Sequence, residues 1–220
     1  MKTKPVQNSR KARSTSERSV RLSPDQRRTQ LLGWAINIFA SRGFVAANHA
    51  AIATAAQVSV PTVFFYFKTR EMLVSAVLEE VESFYQLTIA KAVDSDKPAD
   101  VALLELTEAL TNTLGSHADY ARILREWSVS VHEPTWPRYL QHYRHMIQGF
   151  ADVIARGQKE GNIRADLNAY DEAIIVYAGS TALIQMMEIG ESSDRVDRVR
   201  RAFVQTVLLS RPSEPIAGSS

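Results

Sequence analysis

No cysteine occurs among the 220 residues, which excludes disulfides and thiolate metal sites and fits a reducing cytoplasm. No apolar run approaches the roughly 18 residues that a membrane-spanning helix needs, so no membrane partner is expected. The first residues, MKTKPVQNSRKARSTSERSVR, lack the apolar stretch of a secretory signal. Strict apolar–polar alternation is absent too, so strands are not expected. There is no Gly-rich phosphate loop, no G-x-S-x-G and no H-E-x-x-H, and therefore no motif for a catalytic centre or a cofactor. His142 and His145 stand at i, i+3 without an evident third ligand, so no metal site is expected. His117 with Asp119, and His132 with Glu133, read as surface or capping pairs.

Charge is present in ordinary amount but unevenly placed. Residues 1–30 hold nine Lys and Arg against Glu17 and Asp25, a local +7, while the whole chain carries +2, which leaves −5 for residues 31–220. A basic arm on a mildly acidic body suits an anionic partner, of which nucleic acid is the commonest. The competing reading of residues 1–22 is a solubilising disordered tail.

Helical periodicity fills most of the rest. Ser23 caps a helix with Pro24 in its first turn, Leu31, Leu32, Ala35, Ile36 and Phe39 form its stripe, and Gly43 ends it. From His49 two short helical patterns follow, with Ala51, Ile52, Ala55 and Ala56 in the first and Val63, Phe64 and Phe67 in the second. The break between them, Gln57-Val58-Ser59, is too short for an ordinary loop. Ser59 can cap the second helix, and Pro61 is tolerated in its first turn because the missing N–H would go unbonded there anyway. Helix, tight turn and capped helix make the outline of a helix-turn-helix, whose second helix enters the DNA major groove.

A longer helix is expected over 71–92, about 30 Å at 1.5 Å per residue. Asp94-Ser95-Asp96-Lys97-Pro98 breaks it. Further helices are expected over 101–114, 120–131, 139–159, 168–188 and 194–209, with the last proline-rich residues as a tail. The fold class is all-α.

Several residues near the turn could meet DNA. Thr62 could bond a phosphate or base edge, or a carbonyl one turn back. Phe65 lies two residues from Val63 and so points away from the core; it either meets a thymine methyl in the groove or packs on a neighbouring helix. Tyr66, Lys68 and Arg70 suit phosphate contacts, which position a protein without specifying sequence; the bland reading of Lys68 and Arg70 is a solvated loop.

Taken together, Arg28-x-x-Leu31-Leu32, Phe39-Ala-Ser-Arg-Gly43-Phe44, Ile52-Ala53-x-Ala55-Ala56-x-Val58-Ser59 and Thr62-Val63-x-x-Tyr66-Phe67-x-x-Arg70-Glu71-x-Leu73 resemble the TetR family of one-component transcription regulators over about residues 22–90. Arg21-Leu22-Ser23-Pro24, Ala56-Gln57-Val58-Ser59-Val60, Thr69-Arg70-Glu71, Glu126-Trp127-Ser128 and Trp136-Pro137 are similar to the LuxR/HapR-type quorum-sensing master regulators within it.

The resemblance implies a homodimer on double-stranded DNA. It implies a helix-turn-helix domain at 23–70, a ligand-binding and dimerisation domain at 71–210 and a tail at 211–220. The helices 168–189 and 194–209 would form a four-helix bundle with the partner's. Carried over residue by residue, it places Ser59, Val60, Pro61, Thr62, Phe65, Tyr66, Lys68 and Arg70 on DNA, with Arg21 and Arg18 entering the minor groove. It also points to a small hydrophobic effector near Tyr85, Ile89, Leu124, Trp127, Tyr139, Tyr143 and Ile147; plain core packing is the competing reading of those residues. The chain departs from the subgroup at Phe65, where the subgroup has Asn, at Pro61, where it has Ala, and at Ser19, where it has a second arginine. A related but non-identical operator is expected. The alternative function is a small-molecule-binding protein whose DNA module is vestigial.

Overall fold

The computed structural model describes residues 22–205, and they form ten helical segments with no strand among them. The expected arm, with Arg18 and Arg21, and the tail lie outside the described residues, as does the end of the last expected helix.

Local chemistry starts each of the first four helices. α1 (Pro24–Ala46) opens on a reciprocal cap: Ser23 Oγ accepts from the Gln26 N–H at 3.2 Å, and Gln26 Oε1 accepts from the Ser23 N–H at 2.9 Å. Regular helix stops at Gly43, as expected, at φ +77°, and a short further turn runs on to Ala46. α2 (His49–Ala55) is capped by Asn48, and α3 (Val60–Tyr66) by Ser59, whose Oγ accepts from the Thr62 N–H at 3.3 Å. The turn between them is made without glycine, since Gln57 takes the left-handed conformation at φ +53°. α4 (Arg70–Val93) begins one residue before the expected start and is capped by Thr69.

α4 holds the molecule together. It buries Leu73, Val74, Ala76, Val77, Leu78, Val81, Tyr85 and Ile89, a wider arc than the single stripe the periodicity suggested, because it packs on α1 near its start and on α5 and α8 beyond. Each such Leu, Ile or Val contributes about 1.5–3 kcal/mol by leaving water. Phe84 is only half-buried and sits against His117 and Tyr120.

The break after α4 is closed at both ends from α8 (Trp136–Glu160). Arg156 donates to the Val93 and Ser95 carbonyls at 2.8 Å each, and Glu160 accepts from the Ala99 N–H at 2.8 Å. One α8 turn thus satisfies the last carbonyls of α4 and the first amide of α5 (Ala99–Thr111), as free helix ends require. Before α7 (Ala118–Val129) a one-turn α6 (Thr113–Ser116) intervenes, so the single expected helix 101–114 is two. α9 (Ala169–Glu188) and α10 (Ser193–Val204) complete the body. At Gly149 of α8 a Cβ would stand 2.4 Å from Ile89 Cγ1, so the close approach of α4 and α8 depends on that glycine.

Candidate DNA-reading face and ligand cavity

The face around α3 is built from a buried row and an exposed one. Val63 and Phe67 are fully buried, and Arg28 lies 5.3 Å from the Phe67 ring centre. Phe65 is 74% exposed and touches only the edge of Tyr66, with ring centres 5.1 Å apart. Val60, Pro61 and Lys68 are exposed beside it, and Ser59 stands at the end of the same face. The Thr62 hydroxyl bonds Ser59 Oγ at 2.8 Å rather than a carbonyl one turn back. Phe64 does not join the buried row. It is half-exposed and stacks on His49, with centres 4.0 Å apart and planes 3° from parallel.

His49 is the residue that sequence reasoning passed over. It is buried at the first position of α2, and its Nε2 donates to the Phe67 carbonyl at 2.7 Å, tying the start of α2 to the end of α3. Holding Phe64 by stacking and Phe67 by a hydrogen bond, it sets the angle at which α3 presents Phe65. Nothing in the local pattern marks a histidine for this task, because its partner lies eighteen residues away.

Arg70 is already engaged. Its guanidinium donates to the Phe44 carbonyl, while the Phe44 N–H donates to Glu126 of α7 at 2.8 Å. Phe44, just past the Gly43 kink, is therefore gripped from both sides. At Gly43 a Cβ would lie 2.8 Å from Glu126 Oε1, so any side chain there would be strained by φ and would push the Glu126 carboxylate off the Phe44 N–H. A second tie joins Asn37 of α1 to Asp119 of α7 at 3.2 Å. The carboxylate of Glu71, beside Arg70, is held below the usual range, first by a backbone N–H at its own position and then by the Thr69 hydroxyl.

In the body, a cavity of about 250 Å³ opens between α4, α5, α7, α8 and α9. Tyr85, Leu124, Arg125, Tyr139, Tyr177 and Glu188 are among its walls. Three of the seven expected effector contacts, Tyr85, Leu124 and Tyr139, are brought to it. The other four are not. Ile147 is fully buried core, Ile89 is pressed on Gly149, and Tyr143 packs edge-on against Tyr177. Trp127 gives its N–H to the Thr135 carbonyl and borders a separate cleft of about 320 Å³ beside Phe44 and Arg138. Helical spacing identifies inward-facing residues but cannot tell which of them meet a neighbour and which a void.

Three tyrosine hydroxyls in this region are pushed above their ordinary range, each first by burial: Tyr85, Tyr139 and Tyr177. His142 is pushed down to about 4, chiefly by burial, with Glu82 opposing and His145 and Arg138 adding to it. His142 is buried between Trp127 and Tyr85, whereas His145 faces solvent, so the i, i+3 pair is split. Among the described residues no group of three or more His, Asp or Glu could hold a metal ion, and no helix is long and apolar enough to cross a membrane.

A capped, exposed helix on a three-helix module, carried by a helical body with a cavity, defines a helix-turn-helix transcription regulator. Residues 31–77 match the model of bacterial regulatory proteins of the tetR family. The HTH-type transcriptional regulator LuxR of Vibrio harveyi is 36% identical over 142 residues, covering 63% of this chain and 69% of that one. A regulator from Saccharomonospora viridis, solved with choline, superposes with a TM-score of 0.71 at 23% identity, covering 85% of this chain and all of the other. The regulator FadR of Bacillus subtilis, solved with stearoyl-CoA, gives 0.68 at 13% identity over 81% of this chain and 96% of its own. The chain belongs to the TetR family of transcriptional regulators.

Proposed function

We propose that the chain acts as a cytoplasmic homodimer that binds a pseudo-palindromic operator with one α3 in each of two successive major grooves. The half-sites would be about one helical turn, ~10 bp, apart or somewhat more. The observation that carries this reading is α3 itself: Val63 and Phe67 anchor one row while Phe65, Val60, Pro61 and Lys68 stand free on the other. In this reading Lys68 and Tyr66 contact phosphate, Ser59 and Thr62 contact phosphate or base edges, and Phe65 meets base surface. Arg70 adds its charge to the field at the DNA face while holding Phe44. Arg18 and Arg21 would reach the minor groove.

Exposed apolar residues on α9 and α10, Tyr170, Ile174, Ile175 and Val199, supply the face on which the second copy would pack. A small molecule in the 250 Å³ cavity would change the spacing of the two reading heads by moving α4, which contributes Tyr85 to the cavity and begins at the DNA face. That volume favours an effector far smaller than the stearoyl-CoA of the Bacillus protein. The likeness to the Vibrio regulator supports a role in quorum sensing.

Affinity for an operator duplex measured against salt tests the reading. Binding should fall steeply and linearly in log–log form, as it does when Lys and Arg displace counterions from phosphates. Salt-insensitive or absent binding would instead favour a small-molecule-binding protein with a vestigial DNA module.

A further inference from the structure

The polar atoms around the cavity are unevenly satisfied. Tyr85 is 2% exposed and lines the cavity from α4, yet its hydroxyl has no hydrogen-bond partner. The nearest hydroxyl, that of Thr113, stands outside hydrogen-bond distance of it and donates to the Ala109 carbonyl at 3.2 Å. The Tyr139 and Tyr177 hydroxyls act on each other. A buried hydroxyl without a partner costs about 1–3 kcal/mol, so Tyr85 is a donor held ready at an energetic penalty.

The charge pattern is equally informative. The charged residues of the wall, Arg125 of α7 and Glu188 of α9, form an ion pair with each other. The same two residues, with Gln185, also border an outer crevice beside Leu114 and Arg122. The pair therefore stands between crevice and cavity, at the mouth. Beyond it the wall carries no further charge: it holds apolar side chains, the Gln185 amide, the hydroxyls of Ser128, Ser180 and Thr181, whose protons go to helix carbonyls, and tyrosines that burial keeps protonated. A carboxylate or ammonium buried there would gain a counter-ion only by breaking the Arg125–Glu188 pair, and would lose its hydration.

We infer that the cavity takes a compact, uncharged molecule, largely apolar, whose carbonyl or ring-nitrogen acceptor receives a hydrogen bond from the Tyr85 hydroxyl. The ligand passes the Arg125–Glu188 pair on its way in. This rests on the reading of the cavity as an effector site and names the effector's chemistry. About 250 Å³ lies just below the ~300–1,000 Å³ range usual for ligand sites, which excludes long acyl chains.

The test uses the full chain and four probes of similar size on one phenyl ring: acetophenone, ethylbenzene, benzoate and benzylammonium, each titrated by calorimetry into wild type and Tyr85→Phe. Tyr85→Phe removes only an unpartnered hydroxyl, so its melting temperature should equal or exceed that of wild type. Acetophenone should bind wild type best and lose about fivefold in Tyr85→Phe, the worth of one hydrogen bond. Ethylbenzene should bind more weakly and equally to both.

The proposal is overturned if Tyr85→Phe binds acetophenone as well as wild type does. It is equally overturned if benzoate or the ammonium binds more tightly than acetophenone, or if none of the four binds up to its solubility. Operator binding measured in the same preparation separates the failures. Probes that fail while the operator is bound remove the ligand class alone; loss of operator binding removes the regulator reading itself.

Discussion

The reading head and the body treat buried polar groups in opposite ways. In α1–α3 the buried His49 is bonded to Phe67 and the helix starts are capped, and no described residue there has a buried side-chain N or O without a partner. In the body, Tyr85 and both ring nitrogens of His142 are buried and unpartnered, side by side near the cavity. A surface that must match a fixed DNA geometry gains from having every internal bond made. Under the proposed reading, a body that responds to a ligand gains from leaving bonds to be made.

The sharpest way to break this comparison is to remove an anchor of the head. Phe67→Ala should cost about 3–5 kcal/mol in chemical denaturation, since a fully buried ring is lost. DNA binding should go with it while the helical signal of the body survives; a single cooperative loss of all helix would show that the head is not separately vulnerable.

The body's weakness should show in acid. The His142 pKa is lowered in the folded chain to about 4 from an ordinary 6.5, so between those values the unfolded chain binds the extra proton. Its contribution is fully present above pH 6.5 and is lost as pH falls toward 4. From pH 7.5 to 5 that amounts to about 2 kcal/mol, given 1.36 kcal/mol per pKa unit. Comparing wild type with His142→Phe isolates this from the carboxylates: the variant should lack that share of the acid destabilisation, and equal slopes would refute the assignment.

His49→Ala, which frees the Phe67 carbonyl and the Phe64 ring, should lower stability by about 1–3 kcal/mol and weaken DNA binding more than an exposed substitution does. Smaller still, Lys68→Ala should leave the melting temperature unchanged and reduce the salt slope of binding by about one, uniformly across sequences.

The same contrast explains what was legible in the chain. Ser23, Ser59, Pro61 and the outward placement of Phe65 could be read because caps and faces depend on residues within a turn or two. The resemblance to TetR regulators rested on the same local block. Other features required the whole fold. His49 meets a carbonyl eighteen residues on, Phe44 is held by Glu126 at a separation of 82, and Arg125 pairs with Glu188 across 63. Helical spacing reaches only part of the cavity wall, because Ile89 and Ile147 satisfy the same spacing as Tyr85 and Leu124 and differ only in what the neighbouring helix puts opposite them. Gly43 reads locally as a helix stop, but its place under Glu126 required the whole fold.

In the proposed reading α3 reads DNA and Phe65 decides part of what it reads. In vitro selection from a random duplex library, run with wild type and with Phe65→Ala, tests it most directly. With a side chain 74% exposed, the variant should keep its stability within about 0.5 kcal/mol. Wild type should enrich a two-fold symmetric site, and the variant should change the preferred base at the same position of both half-sites. A library that enriches no symmetric site, or a variant that selects the wild-type sequence unchanged, would contradict the account.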